Sequence, residues 1–186
     1  MMRVIAGSAR SLLLKTPAGM TTRPTTDRIK ETLFNVLQQD VPGAVFVDLC
    51  AGSGQIGIEA LSRGAKKAYF IENDAAAIKC IEENLKHTKL IDSSVVLKQD
   101  AVTAMSYGIR EKADVIFADP PYGTGTDTSL LSAAATSKAV TPNTIIIIEE
   151  KRERDFSFAK DLGFDIIKEK VYKTNKHVFL RKRVEE

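Results

Sequence analysis

The sequence is poor in the residues that build metal centres and disulfide frameworks. It has two cysteines, Cys50 and Cys80, and two histidines, His87 and His177. Neither cysteine has a second cysteine or a histidine at metal-ligand spacing, so a zinc site is not expected and both thiols are read as reduced and buried. One histidine falls in a helical pattern and the other in a strand pattern, which gives no support to a His-dependent catalytic triad. No stretch approaches the roughly 18 to 20 apolar residues that span a bilayer, and Met1-Met2-Arg3-Val4-Ile5 has no signal-peptide apolar region. A cytoplasmic protein without a membrane partner is expected.

What is present suits one packed core. The 186 residues are 44% apolar, enough for a single domain over 1–186 that buries most of its unfolded surface. The net charge of +3 is mild, but its distribution is uneven. Residues 1–31 hold six basic side chains (Arg3, Arg10, Lys15, Arg23, Arg28, Lys30) against two acidic ones (Asp27, Glu31). Such a segment suits a phosphate backbone, although charge alone is equally compatible with an ordinary solvated face.

The first 24 residues read as an arm: a short apolar run, Val4-Ile5-Ala6, then an irregular stretch punctuated by Gly7, Pro17, Gly19 and Pro24. From Thr26, an N-cap type followed by Asp27, apolar residues recur at Ile29, Leu33, Val36 and Leu37, predicting an amphipathic helix that ends at Pro42-Gly43. Beyond it strands and helices alternate. Strands are expected at 45–47, 68–71, 95–97, 115–118 and 145–148, and helices at 56–62, 75–86 and 129–137. Continuous apolar strands between helices indicate a parallel sheet covered on both faces. The runs 164–167 and 176–180 have no long helix between them and predict an antiparallel hairpin closing one edge of a seven-stranded sheet.

Asp48-Leu49-Cys50-Ala51-Gly52-Ser53-Gly54-Gln55-Ile56-Gly57 follows the first strand and opens a helix, so its glycines satisfy Gly-x-Gly-x-x-Gly in the context of a nucleotide-type ligand. This motif alone does not separate NAD from S-adenosylmethionine. The carboxylates do. Asp48 stands immediately before the loop, where a pyrophosphate would meet negative charge but a sulfonium and an ammonium would not. Glu72, followed by Asn73, ends the next strand in position to accept from ribose hydroxyls, a role that serves either ligand. Asp100 ends the third, where it can accept from an adenine amino group beside the Ala101 N–H. Helix N-capping is the competing role for each of these acids. Gly64, after Ser62-Arg63, reads simply as a helix C-cap.

Asp119-Pro120-Pro121-Tyr122 directly follows the fourth strand, at the carboxyl edge where doubly wound sheets bind ligands. An exocyclic amine on an aromatic base is a poor nucleophile because its lone pair is delocalised. The Asp119 carboxylate and the Pro120 carbonyl can accept its two hydrogens and turn the lone pair towards a methyl donor. The two adjacent prolines, Pro120 and Pro121, stiffen the backbone, and Tyr122 can stack on the base. Alone, the motif is also compatible with a Pro-Pro turn.

The chain resembles, over nearly its whole length, the RsmD-type 16S rRNA guanine(966)-N(2)-methyltransferases, small members of the Rossmann-like class I methyltransferase fold. The resemblance lies in Arg23-Pro24-Thr25-Thr26-Asp27-Arg28-Ile29-Lys30-Glu31-Thr32-Leu33-Phe34-Asn35, the loop Asp48 to Gly54, Glu59-Ala60-Leu61-Ser62-Arg63-Gly64-Ala65, and Asp119 to Tyr122. It implies that Arg23 to Thr26 lie against the methionine end of S-adenosylmethionine, that Glu72 holds the ribose, and that Asp119 to Tyr122 hold a guanine amine. It further implies that the basic arm contacts 16S rRNA in the 30S subunit or its late precursor. A monomer is expected. Two departures stand out: Ser11-Leu12-Leu13-Leu14 replaces a stretch usually rich in Gly, Arg and Lys, and Tyr172-Lys173-Thr174 replaces a Tyr-Gly pair followed closely by Thr. Adenine N6 methylation of DNA or RNA, a non-catalytic RNA-binding assembly role and an NAD-dependent oxidoreductase are the competing readings.

Overall fold

The computed structural model describes residues 2–17 and 26–184. Seven strands, β1 (Val45–Asp48), β2 (Lys67–Glu72), β3 (Ser94–Lys98), β4 (Val115–Ala118), β5 (Ile145–Lys151), β6 (Phe164–Val171) and β7 (Asn175–Lys182), form one sheet in the order β3-β2-β1-β4-β5-β7-β6. The first five are mutually parallel, while β7 runs antiparallel to both β5 and β6. The expected hairpin therefore closes the edge, with β7 inserted next to β5.

Alternation of side chains along the strands divides the core in two. Phe46, Phe70, Phe117 and Ile147 face helices α1 (Asp27–Val36), α2 (Gln55–Ser62) and α3 (Ala75–Thr88). Val47, Ile71, Ile116 and Ile148 face α5 (Thr126–Thr136) and the turn after β3. That turn contains a helix the sequence did not announce: α4 (Ala101–Thr103), continued by a π turn through Ala104–Gly108. The α2 helix lies tightly on β2, since a Cβ at Gly57 would sit 2.4 Å from the Phe70 ring.

The Thr26 side chain caps α1 as expected, accepting from the Ile29 N–H at 3.3 Å. The regular helix stops at Val36, well before Pro42-Gly43. Leu37 and Val41 remain buried, but Asp40 N–H bonds to the Leu37 carbonyl, so the apolar spacing continues through a tighter turn.

Residues 2–17 are laid against the body. An Arg3–Leu13 bridge folds the segment on itself, with Val4 and Leu14 buried and Leu12 packed on the core. The leucines that depart from the family pattern thus serve burial, except Leu13, which is half exposed. Glu59 of α2, fully buried, clamps the segment by accepting from the Ile5 N–H (2.8 Å), the Ala6 N–H (3.0 Å) and Arg63 Nε (2.8 Å). Buried Lys30 lies 3.6 Å from Glu59 and donates to the Arg3 carbonyl at 2.6 Å. Burial lowers the Lys30 pKa, and the Glu59 charge works against that shift. Gly7, at φ +85°, passes so close to α2 that a Cβ would overlap the Ser62 carbonyl. Asn84 of α3 pairs with the Lys15 backbone and with the Ser53 carbonyl. The segment is thereby tied to the first glycine-rich loop.

Candidate active site

The carboxyl ends of the parallel strands open into a cavity of about 810 Å³, at the β1/β4 junction where the strand order reverses. Asp48, Ala51, Gly52, Ser53, Glu72, Asn73, Asp100, Ala101 and Asp119 to Tyr122 all line it. Gly54 does not. At φ +81° it forms the left-handed N-cap of α2 and shapes the turn from behind. Arg23 and Thr25 lie outside the described residues.

Each acid is anchored differently. Asp48 is buried beneath the loop and accepts from the Gly57 N–H at 3.2 Å; burial, with Glu72 nearby, pushes its carboxyl up to about 7. Glu72 accepts from the N–H groups of Gly52 (2.9 Å), Asn73 (2.9 Å) and Asp74 (3.0 Å), so it braces the loop as well as facing the cavity. Asp100 caps α4, accepting from the Thr103 N–H at 2.9 Å through Oδ1; the Thr103 side chain first, and this backbone bond second, hold its carboxyl below the usual range. Capping and cavity lining therefore coexist in one residue.

Asp119 leaves β4 half-buried, and desolvation, reinforced by Glu149, Asp48 and Glu150, pushes its carboxyl up to about 8. Five carboxyl groups line the cavity (Asp48, Glu72, Asp100, Asp119 and Glu149), an arrangement that favours a cation. Two buried acceptors, Gln55 Oε1 and Gln99 Oε1, have no hydrogen-bond partner among the described residues, and both residues line the cavity. Acceptor-rich walls, with the backbone of Gly52 bare against the cavity, fit an adenosyl sulfonium with an ammonium group and fit a pyrophosphate poorly.

Several lining residues escaped sequence reasoning. Met2, Thr16 and Pro17 reach the cavity from the clamped N-terminal segment. Cys50, expected to be buried, is partly exposed and lines the wall, because it belongs to the loop under the cavity and not to a strand interior; burial beside Asp48 pushes its thiol up. Glu149, at the end of β5, accepts from Tyr122 OH at 2.9 Å. Behind it lie Asn175 and His177 of β7. The two consecutive acids Glu149-Glu150 ending an apolar strand were the available signal. Among the described residues no cluster of side chains fits a metal ion, and no helix is long and apolar enough to cross a membrane.

Comparison with known proteins agrees with this geometry. The family model described as conserved hypothetical protein 95 matches residues 2–181. The ribosomal RNA small subunit methyltransferase D of Haemophilus influenzae is 33% identical over 154 residues, 82% of this chain and 80% of that protein. The Bacillus subtilis protein YlbH is 38% identical over 82% of this chain and 84% of its own length. The solved structure of yhhF from Escherichia coli superposes with a TM-score of 0.85 at 28% identity, covering 99% of each chain. With its seven-stranded Rossmann-like sheet and its cavity at the strand ends, the chain belongs to the conserved hypothetical protein 95 family, the RsmD-type methyltransferases.

Proposed function

We propose that the chain transfers a methyl group from S-adenosylmethionine to the exocyclic N2 amine of guanine 966 in 16S rRNA, acting on the 30S subunit or its late precursor. The observation that carries this reading is that Asp119-Pro120-Pro121-Tyr122 shares one cavity with Asp48, Glu72 and Asp100. The name of the Haemophilus influenzae relative supports the ribosomal RNA substrate. The guanine position rests on the family resemblance.

In this reading Glu72, with Asn73 beside it, holds the ribose, and Asp100 with the Ala101 N–H holds the adenine edge. The backbone of Ala51, Gly52 and Ser53 skirts the methionine moiety, and Asp48 offsets its positive charge. Arg23 and Thr25 belong to the same end of the donor. When bound, S-adenosylmethionine supplies an activated methyl group on a sulfonium. The protein's task is alignment and electrostatics. The Asp119 carboxylate and the Pro120 carbonyl accept the amine hydrogens, aim the lone pair, and leave Asp119 placed to take the proton that the methylated amine sheds. Tyr122 stacks on the base, which has left its helical stack. The basic residues of 1–31 contact the rRNA backbone, and the enzyme works as a cytoplasmic monomer.

Incubating the protein with methyl-labelled S-adenosylmethionine and 30S subunits lacking the modification should place label in N2-methylguanine on nucleoside digestion. Label in N6-methyladenine, or preferential labelling of duplex DNA, would select the adenine reading. Labelling of neither would remove the catalytic one.

The charge assignment has its own test. With carboxyl groups raised to about 7 at Asp48 and about 8 at Asp119, both are partly protonated near neutral pH. A bound cation favours their charged forms, lowers both pKa values and expels protons. Calorimetry at pH 7 in buffers of different ionisation enthalpy should therefore record net proton release on S-adenosylmethionine binding, and less release with S-adenosylhomocysteine, which lacks the sulfonium charge. Equal proton counts for the two ligands would contradict the role given to these acids.

A further inference from the structure

The segment carrying Tyr122 has little to hold it. Pro121 through Gly125 are exposed, and a Cβ added at Gly123 or Gly125 would meet nothing within 4 Å. Yet the Tyr122 ring must present a fixed face if a base is to stack on it. Among the described residues, its polar tether to the sheet is the bond from its hydroxyl to Glu149 Oε1, at 2.9 Å, with the Asn175 side chain beside it.

Glu149 is an improbable residue for its place. It continues the run Ile145 to Ile148, is almost fully buried, and forms a register pair with His177 across the antiparallel β5–β7 ladder. A buried carboxylate is costly unless donors surround it. Here they do: Asn175 Nδ2 lies 2.5 Å from Oε1, and His177 Nε2 lies 2.8 Å from Oε2. Asn175 and His177 stand two apart on β7 and so share the face on which Glu149 sits. His177 is fully buried, with the edge of its ring system against Phe117 at 5.7 Å and Tyr172 at 5.1 Å between centroids, and its Nδ1 is 3.4 Å from Tyr172 OH. Burial works against the Glu149 charge, but bonds from His177, Tyr122 and Asn175 outweigh it and leave the carboxyl below its ordinary range.

We infer that Glu149, locked by His177 and Asn175, is a positioning residue that fixes the ring of Tyr122 as a preset platform for the target base. The inference rests on the methyl transfer proposed above. Without the tether the ring can still stack, but it must first be ordered from several rotamers, and that ordering is charged against RNA binding. Tyr172, which the departure at Lys173 leaves in place, closes the far side of His177.

A double-mutant cycle tests it. Tyr122→Phe keeps the ring and removes the donor; Glu149→Leu keeps much of the bulk and removes the acceptor. Each should raise KM for the RNA about tenfold with a smaller change in kcat, and the double variant should be no worse than the poorer single one. Tyr122→Phe, at a partly exposed position, should keep the wild-type melting temperature and donor affinity. Independent multiplication of the two effects, or a wild-type KM in Tyr122→Phe, would overturn the inference. NMR of ring-labelled tyrosine reads the tether without any transfer assay. The Tyr122 ring should be ordered in the wild type and exchange-broadened when Glu149→Leu removes the acceptor or, should that variant not fold, when Asn175→Ala loosens the carboxylate that holds it. Equal ring order with and without the tether would sink this inference even if methyl transfer is observed. Absence of transfer by a wild type with an ordered ring would instead remove the proposed function.

Discussion

Asp119→Asn will lower kcat for methyl transfer by about 10²- to 10⁴-fold, the range typical of losing a positioned acid–base group or a principal electrostatic contact. The amide matches the carboxylate in shape but offers an NH₂ where the base amine also brings hydrogens. Its oxygen can still accept one amine hydrogen, more weakly than a carboxylate does, but the amide cannot take a proton. Stability should move the other way. The Asp119 carboxyl is raised in the folded protein to about 8 from an ordinary value near 3.8. A raised acid binds its proton more tightly in the native state, so ionisation works against the fold as pH rises from about 4 to about 8. Removing the charge relieves that cost. Thermal melts should therefore show Asp119→Asn at least as stable as wild type, with its advantage growing across that pH window, while steady-state kinetics show activity nearly lost. Retention of more than about a tenth of wild-type kcat would contradict the assigned role.

Glu59→Ala should destabilise the protein by about 3–5 kcal/mol, the cost of stripping one partner from a buried ion pair. Lys30 would be left fully buried without its counter-charge, and the Ile5 and Ala6 N–H groups would lose their acceptor. The consequence reaches the cavity, because the same clamp sets the course of the segment bearing Met2, Thr16 and Pro17 along the wall. Denaturant unfolding should record the loss, and donor affinity should fall in the fraction that remains folded. A loss below about 1 kcal/mol would mean that the segment is held mainly by Val4 and Leu14.

Both variants bear on how much could be read from the chain. The sheet was legible because strands such as 45–47 and 115–118 are apolar at every position, the mark of burial on both faces, and because Gly52, Gly54 and Gly57 fall between a strand and a helix. Asp119 to Tyr122 could be placed at the cavity for the same reason: they follow a strand of the parallel set. What stayed hidden depends on contacts distant in sequence. Glu149 and His177 are 28 residues apart and meet only because β7 enters the sheet beside β5. A histidine with no ligand or triad partner nearby in sequence therefore gave no sign of its role. Asp100 was recognised as an acid at a strand end, yet the helix it caps was missed, since Ala101 to Gly108 is too short to show a period. Residues 2–17 looked irregular because they pair with one another only around the short Arg3–Leu13 bridge, and side chains distant in sequence, Glu59, Ser62 and Asn84, take up further backbone N–H groups. Leu12 and Leu14 could be read as departures from a basic arm, but not as core residues, until the surface they cover was known.

The activity proposed for this cavity is methylation of one guanine amine of ribosomal RNA through Asp119. It is tested most directly by mass mapping of ribonuclease fragments from 16S rRNA, after 30S subunits lacking the modification are treated with S-adenosylmethionine and either wild type or Asp119→Asn. The wild type should add the mass of one methyl group to the fragment containing guanine 966, on the base, and the variant should leave that fragment unchanged. A methyl group on an adenine, on a different fragment, or added equally well by Asp119→Asn would contradict it.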